Sequence, residues 1–161
     1  MVKIPEKVNV SVEGLKLKVS GPKGNLERTL SRLVNVTVAS GNVDVTGDSK
    51  ALVNTTFAHL GNMFKGVTLG FEKKLKIIYA HFPITIEVKG HDITIKNFLG
   101  EKQARKAILV GSTKLVIKGQ EVMLSCIDIE ELGGTYSNLK RATKIRFKDG
   151  RVFQDGLYPI D

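Results

Sequence analysis

Six cations fall within twelve residues near the end of the chain: Lys140, Arg141, Lys144, Arg146, Lys148 and Arg151, interrupted by a single acid, Asp149. Each can donate charge-assisted hydrogen bonds to an anionic oxygen, and each phosphate neutralised in this way releases condensed counterions. A basic run is often no more than a solvated face. This one has few Ser or Pro, is interleaved with Ile145 and Phe147, and leaves a helix C-terminus to enter a loop, as expected of an ordered surface turned toward a polyanion. Lys102, Arg105 and Lys106 form a second group after the turn at Gly100. On a helix all three would align. On a strand Lys102 and Lys106 share one face and Arg105 takes the other, so they meet one ligand only if the strand end is irregular. Lys23, between Gly21-Pro22 and Gly24, sits where backbone can come close to a phosphate. That signal is weaker, because a turn residue needs no ligand.

Other chemistry is hard to find. There is no P-loop, no dinucleotide-binding glycine pattern after a strand and no His-Glu-x-x-His pair. His59, His81 and His91 are scattered, without the carboxylate or Cys spacing of a metal site. The residues point to no catalytic centre, no metal site and no cofactor. Trp is absent and aromatics make up 6% of the chain. The two-ring platform with which some sheets stack RNA bases is missing, so binding is expected to run through phosphate, sugar and shape.

The totals agree with a polyanion as partner. Lys and Arg number 25 against 16 Asp and Glu, a formal net charge of +9. Such a charge favours RNA, DNA or an anionic membrane without choosing among them. The lone Cys126 excludes an internal disulfide framework, and its apolar surroundings suggest a buried, inert thiol. The N-terminus lacks the apolar segment of a secretory signal, and no stretch approaches the ~20 apolar residues of a membrane span. The expectation is a soluble intracellular protein. The first half is the more basic, with 12 cations and 6 acids in residues 1–80 against 13 and 10 in residues 81–161. The second half segregates its charge more sharply.

The elements that must carry these residues are written twice. Val8 to Val12 alternates apolar and polar residues, Glu13-Gly14 turns the chain, and Leu15 to Val19 alternates again, the period-2 signature of strands. A Gly-Pro-Lys-Gly loop, a strand at Leu26 to Leu30 and a hairpin turning at Ser40-Gly41-Asn42 follow. Leu52, Val53, Phe57, Leu60, Phe64 and Val67 then take helical spacing, with Asp48 or Ser49 placed to cap. A strand at Leu75 to Tyr79 closes the set. From Ile84 the order restarts, and Asp128 with Glu131 three residues later opens a second helix weakened by Gly133-Gly134. A unit of about 77 residues repeated once is too long and too few for a solenoid. The reading is α+β: two tandem duplicated domains, each an antiparallel sheet packed against one main helix. The boundaries expected are 1–81 and 82–161, near Pro83.

Three motifs in order carry a resemblance. Lys65-Gly66-Val67-Thr68-Leu69-Gly70-Phe71 followed by Tyr79-Ala80-His81-Phe82-Pro83-Ile84, then Asn97-Phe98-Leu99-Gly100-Glu101-Lys102 with Arg105, then Ile145, Lys148, Arg151, Phe153, Asp155-Gly156, Leu157 and Tyr158 stand at family spacing. The chain resembles the large-subunit ribosomal protein family conventionally numbered six, nine in older eukaryotic naming, in its archaeal and eukaryotic branch. The junction motif leans eukaryotic. Arg141 stands where Gln is usual, Pro159 replaces an aliphatic residue, and the sequence ends at Asp161 without the customary basic tail. The resemblance implies a non-enzymatic constituent of the cytoplasmic large subunit, anchored by its C-terminal domain on rRNA close to the sarcin–ricin loop, near where translational GTPases dock. On that view Lys96, Lys102, Arg105, Lys106 and the Lys140–Arg151 cations face phosphates, with close approach at Gly100 and Gly156. Lys23 would make a secondary contact. The partners implied are large-subunit rRNA and neighbouring ribosomal proteins, with no membrane and no homo-oligomer. The alternative is a general nucleic-acid-binding module working outside the ribosome.

Overall fold

Strand alternation and helical spacing convert directly into structure in the computed structural model, which describes residues 2–39 and 41–160. Ser40 of the expected hairpin turn lies outside the described residues, as do Met1 and Asp161 at the ends of the expected domains. The chain divides into two compact units. One comprises the described residues up to Phe71 together with Ile127–Ile129, the other Glu72–Cys126 with the described residues from Glu130 onward.

In the first unit, β2 (Asn9–Glu13), β3 (Lys16–Gly21) and β4 (Gly24–Thr29) form an antiparallel meander. A second sheet has the order β1 (Val2–Lys3), β6 (Asn42–Gly47), β5 (Val34–Ala39). Helix α1 (Lys50–Thr68) lays Leu60, Met63, Phe64 and Val67 onto Leu17, Val19, Val34, Val43 and Val45. Burying each such side chain contributes about 1.5–3 kcal/mol, and the i, i+3, i+4 spacing lets one helix supply four of them. Ser49 takes the N-cap position, but its side chain makes no capping hydrogen bond. The helix ends where Gly70 adopts a left-handed φ of 73°, its N–H donating to Lys65 O at 3.1 Å.

The second unit repeats this plan. β8 (Thr85–Lys89), β9 (Asp92–Lys96) and β10 (Arg105–Ile108) form the meander. The other sheet has the order β11 (Lys114–Lys118), β12 (Glu121–Cys126), β7 (Phe71–Ile78), β13 (Gly156–Ile160). Helix α2 (Ile129–Ala142) buries Leu132, Thr135 and Leu139. It passes close to Val110, whose Cγ2 would lie 3.2 Å from a Cβ at Gly134. The Thr135 hydroxyl accepts the Val110 N–H at 2.9 Å. Among the described residues no helix is long and apolar enough to cross a membrane.

The duplicated α+β class therefore holds, with two differences from the sequence reading. Each unit splits its strands into two antiparallel sheets instead of one. The expected last strand of the first half, β7, hydrogen-bonds β12 and β13 of the second. It flanks β12 as β1 flanks β6, so it opens the second repeat, and the compact units part at Phe71 and Glu72 where the sequence suggested residues 81 and 82. Leu75 and Ile77 are its buried residues. Pro159, opposite Leu75, is tolerated because β13 is the outer strand.

Candidate nucleic-acid interface

The last turn of α2 carries Lys140 and Arg141, where cations complement the partial negative charge of the terminal carbonyls. Thr143 closes the helix, its N–H and hydroxyl both donating to Leu139 O at 3.0 and 3.1 Å. The chain then runs through an irregular segment to β13. Asp149 organises that segment: its Oδ1 accepts the Arg151 N–H at 2.9 Å, and its carbonyl accepts the N–H groups of Val152 and Phe153 at 3.2 and 3.0 Å. Lys140, Arg141, Lys144, Arg146, Lys148 and Arg151 are all exposed. A groove of about 560 Å³ opens between the end of α2 and β13, with Lys140, Arg141 and Lys144 on its rim and Ile145, Phe153, Leu157 and Tyr158 in its walls.

A stacked cluster supports the far side of the segment. The Phe153 ring lies on His81 at 5.3 Å between centroids, and Lys148 Nζ sits 4.5 Å from the Phe153 centroid. Asp155 is buried, its Oδ1 accepting the Ala80 N–H at 2.9 Å with His81 Nδ1 3.8 Å away, while Oδ2 is buried without a hydrogen-bond partner among the described residues. These contacts tie the segment to the residues just after β7. Sequence reading missed them because His81 and Asp155 are remote in the chain.

Arg105 is placed differently from the sequence expectation. Its Nε and Nη2 donate to the two carboxylate oxygens of Glu101 at 2.8 and 2.5 Å. Its Nη1 donates to the carbonyls of Ala142 and Lys144 at 2.9 and 3.0 Å, and the guanidinium stands 4.3 Å from the Phe98 centroid. Four hydrogen bonds of the fork are thus made inside the protein, two of them closing the C-terminus of α2. The hydrogen bond from Arg105 is the chief reason the Glu101 carboxyl is held below its ordinary range; burial opposes it, and the charges of Arg105 and Lys148 assist. Lys23 occupies the same role in the first unit. Its N–H donates to Val67 O at 2.9 Å and its Nζ bonds Leu69 O, at the end of α1. A Cβ at Gly21 would strike Val67, so this loop packs on the helix at Gly21 while Pro22 and Lys23 stay exposed.

The remaining positions separate. Lys96 is exposed on β9 and its Nζ lies 2.7 Å from Glu87 Oε1. Lys106 pairs with Thr94 in the ladder, which puts it on the same outer face as Lys96 and opposite the face of Arg105. Lys102 precedes β10 and is exposed, so it does not share the strand periodicity assumed for it. Gly100 has φ 74° and is exposed, but a Cβ there would come within 3.0 Å of Phe82. Gly156 is buried opposite Ile78 and lines the groove. Among the described residues no group of three or more His, Cys, Asp or Glu is placed to hold a metal ion.

Residues 4–70 match the family model described as Ribosomal protein L6. Proteins named large ribosomal subunit protein uL6 are similar over nearly the whole chain. That of Staphylothermus marinus is 45% identical over 170 residues, covering 99% of this chain and 92% of the relative. That of Archaeoglobus fulgidus is 46% identical over 171 residues, covering 99% and 87%. That of Methanobrevibacter smithii is 44% identical over 165 residues, covering 99% and 93%. These relatives favour the archaeal side of the branch over the eukaryotic lean of the junction motif.

Proposed function

The chain belongs to the ribosomal protein L6 family, and from that premise we propose that it is a non-enzymatic structural constituent of the large ribosomal subunit in the cytoplasm, holding rRNA through the end of its second unit. The observation that carries the RNA-binding surface is the set of six exposed cations on the last turn of α2 and the segment after it, three of them rimming the groove. Phosphates are the ligands such a surface fits, because these cations are exposed and the helix end already tolerates positive charge. Lys102 extends the surface, and Lys96 with Lys106 forms a separate outer-face patch in which Lys96 must leave Glu87 to reach a phosphate. Arg105 donates to the carbonyls at the end of α2 and supports the surface from behind, while Lys23 closes the end of α1 within the first unit. The rRNA contact lies near the sarcin–ricin loop, as the family resemblance implies, with other large-subunit proteins alongside.

The test is Arg146→Glu with Arg151→Glu, measured as affinity for large-subunit rRNA against salt. Each lost phosphate contact is expected to lower the salt slope by about 1. An unchanged affinity and slope would remove the site assignment. A sucrose gradient in which the protein sediments away from large subunits would favour the general nucleic-acid module instead.

A further inference from the structure

Phe147 is 104% exposed, and it stands between the exposed cations Arg146 and Lys148. Its backbone is left-handed, with φ 59°, a conformation disfavoured for a bulky L-residue and freely open to glycine. Burial does not explain this side chain, and the local backbone would be more comfortable without it. Such an exception is informative, since strained residues persist where the surroundings hold them for a purpose. The neighbouring fold supplies that rigidity through the turn at Asp149 and the stack of Phe153 on His81.

Three other rings around the site are already engaged. Phe153 has His81 against it and Lys148 over it, Phe98 is buried beneath Arg105, and Tyr136 carries Lys73 at 3.9 Å and Lys140 at 5.9 Å. Phe147 alone among these presents both faces to solvent. Val152, 64% exposed, adds a second apolar side chain to the same segment. An aromatic face flanked by cations suits a nucleotide whose base has left its own stack: the ring takes the base and the cations take the phosphates on either side.

We propose that Phe147 stacks on an unpaired base of the RNA held by the surrounding cations. This rests on the RNA-binding reading above and adds to it a contact that charge cannot supply. It also departs from the sequence expectation that binding is confined to phosphate, sugar and shape. A protein neighbour could cover an exposed Phe as well, but the flanking Arg146, Lys148 and Arg151 favour a polyanion.

Three variants of the full chain test it against transcribed large-subunit rRNA. Phe147→Ala is expected to raise Kd about 5- to 150-fold with no change in salt slope, since a stacking face is lost and no charge is removed. Phe147→Gly is expected to lose binding equally while its melting temperature equals or exceeds that of the unsubstituted chain, which separates loss of contact from loss of fold. Phe147→Trp introduces the sole indole, because the chain has no Trp, and its emission is expected to be quenched when RNA is added. If Phe147→Ala binds within twofold of the unsubstituted chain while the Arg146 and Arg151 double variant fails, stacking is overturned and the phosphate surface stands. The ring then faces a protein or nothing. If the double variant also binds normally, the phosphate reading falls and the stacking proposal falls with it.

Discussion

Replacing Arg105 with Ala distinguishes a structural clamp from a phosphate contact. The guanidinium makes four hydrogen bonds, two to Glu101 and one each to the carbonyls of Ala142 and Lys144, and lies over Phe98. Taken at the full value of charged hydrogen bonds, about 1.5–3 kcal/mol each, these would sum to more than most single side chains ever contribute. The Glu101 pair must be discounted, since its two side chains are 23% and 39% exposed and water replaces much of it, leaving about 1 kcal/mol. The two carbonyls at the end of α2 lose their donor together, for about 1 kcal/mol each, and the Phe98 contact adds about 0.5–1 kcal/mol. The expected loss is therefore about 3–4 kcal/mol, read by denaturant unfolding of the full chain. Arg105→Lys should recover little of it, because a point charge cannot bridge a carboxylate and two carbonyls at once. The salt dependence of rRNA binding, measured where the variant is folded, should not change. The acid limb gives an independent check. Glu101 is depressed in the folded state, so its contribution is present above its ordinary value of 4.5 and is lost as pH falls through the folded value. That limb should flatten in Arg105→Ala. A stability loss below about 1 kcal/mol together with a salt slope reduced by about one would show that Arg105 meets RNA.

Two other perturbations probe the frame of the fold. A Cβ at Gly66 would lie 2.0 Å from the Ile127 carbonyl oxygen, so Gly66→Ala should lower stability by about 2–3 kcal/mol despite the better helix propensity of Ala; a variant as stable as the parent would contradict the close approach. Burial raises the Glu131 carboxyl, but the Ser112 N–H, the Cys126 thiol and the Ser112 hydroxyl, at 2.8, 3.3 and 3.0 Å, together outweigh it and hold the group below 4.5. Its stabilisation is present above 4.5 and disappears as pH falls further, so melting temperature between pH 5 and pH 3 should drop less for Glu131→Gln than for the parent.

Much of the frame was legible along the chain. Val8–Val12 and Ile84–Val88 alternate because a strand must send one face to the core, and Leu60, Phe64 and Val67 recur because a helix must do the same with its own period. These are local consequences, so the repeat of the pattern exposed the duplication. The allegiance of β7 was not local. Leu75 and Ile77 fit either sheet, and the choice was made by Ile78 meeting Gly156 far along the chain. The stack of Phe153 on His81 and the buried Asp155 arise from the same return of the chain.

The cations show where the division falls. Their number, and the concentration between Lys140 and Arg151, are properties of the sequence alone, as is the family to which the motifs belong. What each cation binds is a property of the tertiary structure. The carbonyls at a helix C-terminus are acceptors with partial negative charge, and phosphate oxygens are acceptors with a larger one, so Lys or Arg answers to both. Lys23 and Arg105 read along the chain as phosphate ligands, and the fold sets the carbonyls at the ends of α1 and α2 against them. Phe147 shows the converse: its apolar type alone says nothing of its exposure, and only the folded loop leaves it in water.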